Sequence, residues 1–179
     1  EKPARILELD DEEKLLAKDL QLITMKPVLF CANIAEDDIS NEDNDYVKTV
    51  KRIASETDSE VVVISARIEE ELSQLDAEDR EAFLEELGIQ SAGLDKMIKA
   101  SYKLLGLISY LTAGTPEVRA WTIKKGTKAP QAAGKIHSDF ERGFIRAQVI
   151  AYDDLSEAGF DYKAVKEKGY ICELNEQSD

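Results

Sequence analysis

Two short apolar runs separated by a helical stretch constrain the fold of the first half of the chain more than any other feature. Residues 28–32 and 60–64 have the length and the apolar, partly β-branched composition of buried strands. Residues 45–56 between them carry apolar side chains at helical spacing. A strand–helix–strand segment of this length joins parallel strands. The sequence therefore predicts a βαβ unit with a parallel sheet.

Helical patterns surround this unit. A helix is predicted from Ile6 to Thr24, and a loop or short helix over residues 65–75. A further helix covers residues 76–87, and Gly88 follows it at the position of a C-terminal cap. Another helix is predicted over residues 94–110.

The pattern changes after residues 112–116, where glycine and proline predict a break between domains. Residues 118–123 alternate as a half-buried strand does, residues 129–137 form a helix with Pro130 near its start, and residues 143–152 form a second strand. A polar tail is expected after them. The predicted fold class is thus α/β for the first part and α+β for the second.

Charge is distributed unevenly along the chain. The net charge is −14, with residues 1–92 holding 10 basic and 25 acidic side chains and residues 93–179 holding 13 and 12. A uniformly acidic protein is a poor nucleic-acid binder, but residues 117–152 carry a net charge of +4. This asymmetry indicates two units with different partners, or a solvated face without function. The acidic residues 69–71 and 76–86 are expected on solvated helix faces rather than around a metal ion.

Several classes of protein are excluded by composition. No apolar run approaches the roughly 18 residues of a membrane span. Cys31 and Cys172 cannot build a disulfide framework, so reduced thiols and a cytoplasmic location are expected. His137 lies near Asp139, and a packing or capping role is favoured over a catalytic one because nothing marks Ser138 as an activated nucleophile.

Polar motifs follow both strands of the predicted βαβ unit. Residues 33–36 (Asn-Ile-Ala-Glu) come after the first strand and residues 65–67 (Ser-Ala-Arg) after the second. Ligands of open α/β sheets bind beyond the carboxyl ends of the strands. An Asn amide can pair with a purine edge, and a carboxylate can accept from base N–H groups. The motifs predict a nucleotide-base site, or simply residues that end strands.

In the second part, aromatic and basic residues are interleaved. Trp121, Phe140 and Phe144 alternate in sequence with arginine and lysine, which is typical of surfaces that stack on RNA bases and contact phosphates. The alternative is that the aromatic residues are the core of a small sheet.

The two strand-end motifs, together with residues 121–134 and 136–147, resemble the YchF family, the Obg-like ATPases. Residues 33–36 are similar to the guanine motif Asn-Lys-x-Asp of P-loop GTPases, with Ile34 in place of Lys and Glu36 in place of Asp. The resemblance runs from about Pro3 to about Gly169. The residues after Gly169 depart from the family.

The resemblance implies three segments. Residues 1–25 would be the end of a helical coiled-coil insertion, and residues 26–111 the C-terminal part of an Obg-type P-loop nucleotide-binding domain with its connecting helix. Residues 112–179 would be a TGS domain, a ubiquitin-like β-grasp module. Because the sequence departs from the family at its end, an incomplete β-grasp sheet is expected.

The resemblance also implies a function. The family hydrolyses ATP in preference to GTP, uses Mg²⁺, and associates with ribosomes. The residues expected at the base are Asn33, Ile34, Glu36, Ser65 and Ala66. The residues expected to contact the ribosome or ribosomal RNA are Arg119, Lys124, Lys125, Lys128, Arg142 and Arg146.

Two motifs of the family are missing from the sequence. It contains neither Gly-x-x-x-x-Gly-Lys-Ser/Thr, which cradles phosphates, nor Asp-x-x-Gly. The chain is therefore expected to be a C-terminal fragment with no catalytic or metal-binding residues, inactive alone, and binding ATP weakly or not at all. Neither a membrane nor a specific DNA sequence is an expected partner. The alternative function is a regulatory or protein-interaction β-grasp module with no nucleotide role.

Overall fold

The computed structural model describes residues 3–41, 43–114, 117–176 and 178. The chain divides into two compact units between Leu105 and Gly106.

The first unit contains the predicted βαβ arrangement. Its strands are β1 (Leu29–Asn33) and β2 (Glu60–Ile64), and its helices are α1 (Asp11–Asp19), α2 (Asp45–Ser55), α3 (Ala66–Ser73), α4 (Ala77–Glu86) and α5 (Gly93–Leu104). The two strands are parallel, with Leu29 opposite Glu60 and Asn33 opposite Ile64. The prediction of a parallel pair joined by a helix is confirmed.

Two apolar clusters hold the first unit together. In one, Val62 and Ile64 of β2 pack with Ala100 of α5, and Leu29 and Met97 lie against them. In the other, Ile68 and Leu72 of α3 pack with Ala92, just before α5. Complete burial of an aliphatic side chain contributes about 1.5–3 kcal/mol, so these contacts fix α5 against β2 and α3 against the start of α5.

The first helix is shorter than predicted. Asp10 and Glu13 form a capping box at the start of α1, and Gln21 has a positive φ of 49° shortly after its end. Short 3₁₀ turns flank it at Ala4–Ile6 and Ile23–Met25. Several apolar side chains of this segment are exposed: Leu7, Leu15, Leu16, Leu20 and Ile23.

The second unit combines four strands with short helices. In chain order it contains β3 (Leu107–Ala113), β4 (Val118–Lys124), α6 (Ala129–Ile136), α7 (Ser138–Arg142), β5 (Ala147–Ile150), α8 (Tyr152–Glu157), α9 (Tyr162–Lys168) and β6 (Ile171–Leu174). β3 pairs antiparallel with β4, and β5 pairs antiparallel with β6. Among the described residues no ladder joins the two pairs. The expected polar tail thus contains two helices and a strand.

The helix predicted over residues 94–110 is wrong at its C-terminal end. Gly106 has a φ of +62°, which an L-residue adopts only under strain, and the chain leaves the helix there. Residues 107–113 instead form β3. The boundary between the units consequently lies earlier than the predicted break at residues 112–116, of which residues 115 and 116 are outside the described part.

Two side-chain hydrogen bonds organise the second unit. The Tyr110 hydroxyl donates to the carbonyl of Ala132 at 2.7 Å, which ties β3 to α6, and burial raises the pKa of Tyr110. The Trp121 indole N–H donates to Thr112 Oγ1 at 2.9 Å across the hairpin. Trp121 and Phe144 are half-buried and Phe140 is exposed, so the three predicted aromatic residues do not form one common core.

Candidate functional site at the carboxyl ends of the strands

The carboxyl ends of β1 and β2 bring the two polar motifs together. The backbone N–H of Ile34 donates to the carbonyl of Ile64 at 2.8 Å, which extends the ladder by one bond beyond Asn33. The Asn33 side chain then crosses to the second motif, where its Oδ1 accepts a hydrogen bond from the backbone N–H of Ala66 at 2.9 Å. Asn33 therefore fixes the start of α3 relative to the end of β1.

The chemistry of Asn33 suits this position. An amide side chain has an oxygen that accepts and a nitrogen that donates two hydrogen bonds. The oxygen accepts from Ala66, and the nitrogen donates no hydrogen bond within the part of the chain that the structure describes. Because Asn33 is exposed, its amide nitrogen can donate to a ligand beyond the sheet.

Ser65 and Ala66 lie at this junction but have different surroundings. Ala66 is exposed, whereas Ser65 is only 2% exposed. The Ser65 hydroxyl has no hydrogen-bond partner within the described residues, although Ser65 is the N-cap residue of α3. Its neighbours Ile68 and Gly93 line the same small internal cavity, of about 10 Å³. Ser65 thus supports the junction from inside, and Ala66 forms its outer surface.

Glu36 is held by Arg67, the last residue of the second motif, for which the sequence predicted no role of its own. Arg67 Nε lies 3.2 Å from Glu36 Oε2 and 3.6 Å from Glu71 Oε1. Arg67 is 73% exposed, so this pair contributes about 0–1 kcal/mol to stability. The main effect of the pair is on the position of Glu36, whose carboxylate it directs toward α3. Ile34, between Asn33 and Glu36, is half-buried.

Glu69 of α3 connects this region to the start of α5. Its two carboxylate oxygens accept hydrogen bonds from the backbone N–H groups of Gly93 at 2.6 Å and Leu94 at 3.1 Å. These donors are at the start of α5 and have no partner within their own helix. The expectation that Glu69 belongs to a solvated acidic face is therefore wrong, and the residue joins α3 to α5.

The six basic residues predicted to contact the ribosome are all exposed, but they do not form one continuous face. Side chains alternate along β4, so Arg119 and Lys124 project from opposite faces of the hairpin. The guanidinium of Arg119 lies 4.3 Å from the centre of the Trp121 ring. Arg146 lies 3.3 Å from Glu173 and is already paired. The remaining predicted residues are Lys124, Lys125, Lys128 and Arg142.

Other candidates have structural roles. His137 Nδ1 accepts a hydrogen bond from the backbone N–H of Asp139 at 3.2 Å, which confirms the predicted capping role. Cys31 and Cys172 are exposed free thiols. Within the described ranges, no group of three His, Cys, Asp or Glu residues could hold a metal ion. Each helix in these ranges is too short or too polar to span a lipid bilayer.

Comparison with known proteins identifies relatives along almost the whole chain. The family model YchF-GTPase_C, described as a protein of unknown function (DUF933), matches residues 107–177. The expectation that the sequence departs from the family after Gly169 is therefore wrong. The chain is 52% identical over 172 residues to the ribosome-binding ATPase YchF of Bacillus subtilis, covering 96% of this chain and 47% of that protein. It is 46% identical over 162 residues to Obg-like ATPase 1 of Rattus norvegicus, covering 89% of this chain and 40% of the relative.

A solved structure also matches. The structure of the Schizosaccharomyces pombe YchF GTPase superimposes with a TM-score of 0.86 at 33% identity, covering 99% of this chain and 47% of that one. The chain therefore spans about half the length of the relatives that it matches.

Proposed function

The chain belongs to the YchF family, and we propose from this premise that it supplies the base-recognition edge and a ribosome-binding unit of a cytoplasmic nucleotide hydrolase. The observation that carries the proposal is the hydrogen bond between Asn33 Oδ1 and the Ala66 N–H, which joins the two motifs at the carboxyl ends of the strands. In this proposal Asn33, Ile34 and Glu36 contact or frame the base, and Ser65 and Ala66 close the pocket.

The proposal includes a preference for ATP over GTP. A carboxylate that recognises guanine accepts hydrogen bonds from the two N–H groups of its edge. Here the Glu36 carboxylate is engaged by Arg67, so guanine would have to compete with that ion pair. Ile34 offers an apolar contact that favours neither base. These features support the part of the proposal that concerns guanine, namely that this edge gives GTP little advantage over ATP.

Phosphate and Mg²⁺ binding require groups that this sequence does not contain, since it has no Gly-x-x-x-x-Gly-Lys-Ser/Thr loop. Backbone amides and a lysine of such a loop hold the β- and γ-phosphates and help to position Mg²⁺. We therefore propose that hydrolysis belongs to the whole protein and that the chain alone binds ATP weakly.

The second unit is proposed to be a TGS domain that contacts the ribosome. The order β3, β4, α6 matches the start of a β-grasp module, and the net positive charge of residues 117–152 favours phosphate contacts. Residues 1–25 are proposed to end a coiled-coil insertion, and residues 26–111 to complete a nucleotide-binding domain.

Charge reversal in the second unit tests the ribosome contact. We expect Lys124→Glu, Lys128→Glu and Arg142→Glu each to weaken co-sedimentation with ribosomes, because each variant replaces a phosphate contact by repulsion. Each should also reduce the slope of log affinity against log salt by about 1. The matched control is Lys18→Glu, an exposed lysine of α1 in the first unit. Equal pelleting of all four variants would contradict the assignment.

A second candidate function, a protein-interaction module, rests on exposed apolar side chains of the second unit. Phe140, Ile145, Tyr152 and Phe160 are exposed, with Ile145 at 80%. An apolar interface responds little to salt, whereas phosphate contacts weaken steeply. Ribosome pelleting that persists unchanged from low to high salt would therefore favour this alternative.

A further inference from the structure

A groove in the first unit lies away from the carboxyl ends of the strands. It has a volume of about 440 Å³, which is within the range of about 300–1,000 Å³ of pockets that hold ligands. Residues 60–63 of β2 line one side. The other lining residues are Ala100 of α5 and four lysines: Lys51 of α2 and Lys96, Lys99 and Lys103 of α5.

The groove follows a strand edge that is available for pairing. Within the described ranges β2 pairs with β1 alone, so its other edge has no strand neighbour. The carbonyl of Ile64 accepts from Ile34 and thus faces β1. Because the hydrogen-bonding direction alternates along a strand, the backbone groups of Val61 and Val63 face away from β1, on the groove side.

The charge of the groove contrasts with its surroundings. The first unit, residues 1–105, carries 13 basic and 26 acidic side chains, yet four of its lysines line this groove. Lys103 Nζ lies 3.1 Å from Glu60 Oε2, and Lys51 pairs with Asp43. Lys99 is exposed on α5. The carboxylates of an acidic segment lying along β2 can replace Glu60 and Asp43 as partners of these lysines. Exposed ion pairs contribute little to stability, so their loss costs little free energy.

We propose that the groove binds an extended acidic peptide, which adds to the sheet as a strand beside β2. In this arrangement Val61 and Val63 exchange main-chain hydrogen bonds with the peptide. Acidic side chains at alternate positions of the peptide meet the lysines of α2 and α5. The site is independent of the proposed nucleotide edge, because it uses a different edge of the sheet. Lysines also protect strand edges from pairing, so the test must separate recognition from protection.

The test is a fluorescence-anisotropy titration of the whole 179-residue chain with a labelled peptide of alternating glutamate and valine. The informative variant is Val61→Pro, which removes an N–H that faces the groove and leaves the pairing with β1 in place. Its matched control is Val61→Thr, which keeps the N–H and the β-branched shape. Far-UV circular dichroism confirms that each variant is folded.

We expect saturable binding by the wild type and by Val61→Thr, and roughly tenfold weaker binding by Val61→Pro. Lys99→Glu should weaken binding as well, whereas Lys18→Glu on α1 should not. A peptide N-methylated on alternate amides, which cannot pair as a strand, should bind no better to the wild type than to Val61→Pro. The proposal is overturned if no peptide binds, if Val61→Pro binds like Val61→Thr, or if single-stranded RNA displaces the peptide at lower concentration than unlabelled peptide does.

Discussion

The Glu69→Ala variant is expected to lose about 2 kcal/mol of the stability of the first unit. The Glu69 carboxylate accepts from the backbone N–H groups of Gly93 and Leu94, which start α5. Because Gly93 is buried, water cannot readily replace the carboxylate as the hydrogen-bond acceptor of its N–H. A negative charge at a helix N-terminus also interacts favourably with the helix dipole. Chemical denaturation followed by far-UV circular dichroism measures the loss.

Three comparisons serve as controls for this experiment. Glu69→Gln keeps one side-chain oxygen as an acceptor and should lose clearly less than Glu69→Ala. Glu70→Ala removes an exposed neighbouring carboxylate and should change stability little. The single tryptophan, Trp121, lies in the second unit, so its fluorescence transition should stay unchanged in every variant. A loss of similar size in Glu70→Ala would contradict the capping role of Glu69.

The Gly93→Ala variant should destabilise the same unit by about 1–3 kcal/mol. A Cβ atom at Gly93 would lie 2.8 Å from Ile64 Cγ2 and 3.0 Å from both Ile64 Cβ and Glu69 Oε1. Ile64 belongs to the packed cluster with Val62 and Ala100 and cannot move freely. Alanine is ordinarily better than glycine in a helix by about 1 kcal/mol, so a net loss would show that the close contact outweighs propensity.

Gly143→Ala is the comparison for this variant. Gly143 has a negative φ of −101°, and a Cβ there would meet only a backbone oxygen at 3.3 Å. A small change is expected for Gly143→Ala, read from the Trp121 transition of its own unit. The account of Gly93 is contradicted if Gly93→Ala leaves the circular dichroism transition in place or raises its midpoint.

The parallel strand pair was predictable because its signal is local. Two short apolar runs with one helix between them are typical of a parallel βαβ unit, and the carboxyl ends of parallel strands meet at one edge. The proximity of Asn33 and Ser65 follows from that rule, and the register of Asn33 opposite Ile64 agrees with it. The bond from Asn33 to Ala66 could not be predicted, because it depends on how α3 leaves β2.

Features that depend on tertiary contacts were not predictable. Glu69 has the sequence context of a solvated acidic run, and only the packing of α3 against α5 brings it to Gly93. The prediction that the helix continues to residue 110 was wrong. It was made because the apolar residues at positions 104, 105 and 108 fit a helical spacing. The glycine at position 106 was the one signal in the sequence of a change to a strand, because glycine readily adopts the positive φ found there.

The basic stretch illustrates a different limit. The number of charged residues in this stretch can be read from the sequence. Which face each basic side chain occupies depends on its position along a strand. Arg119 and Lys124 lie on opposite faces of the hairpin, and Arg146 is paired with Glu173. This is why the charge-reversal variants proposed above use Lys124, Lys128 and Arg142.

The most direct test of the central claim is an NMR titration of the ¹⁵N-labelled chain with ATP, and with GTP for comparison. The account predicts binding in the millimolar range, a free energy of about −4 kcal/mol. The largest shift changes should fall on the Asn33 side-chain amide and the backbone amides of Ile34 and Ala66, and they should disappear in Asn33→Ala. Shift changes centred elsewhere, or none at saturating ATP, would contradict the assignment of this edge to the nucleotide base.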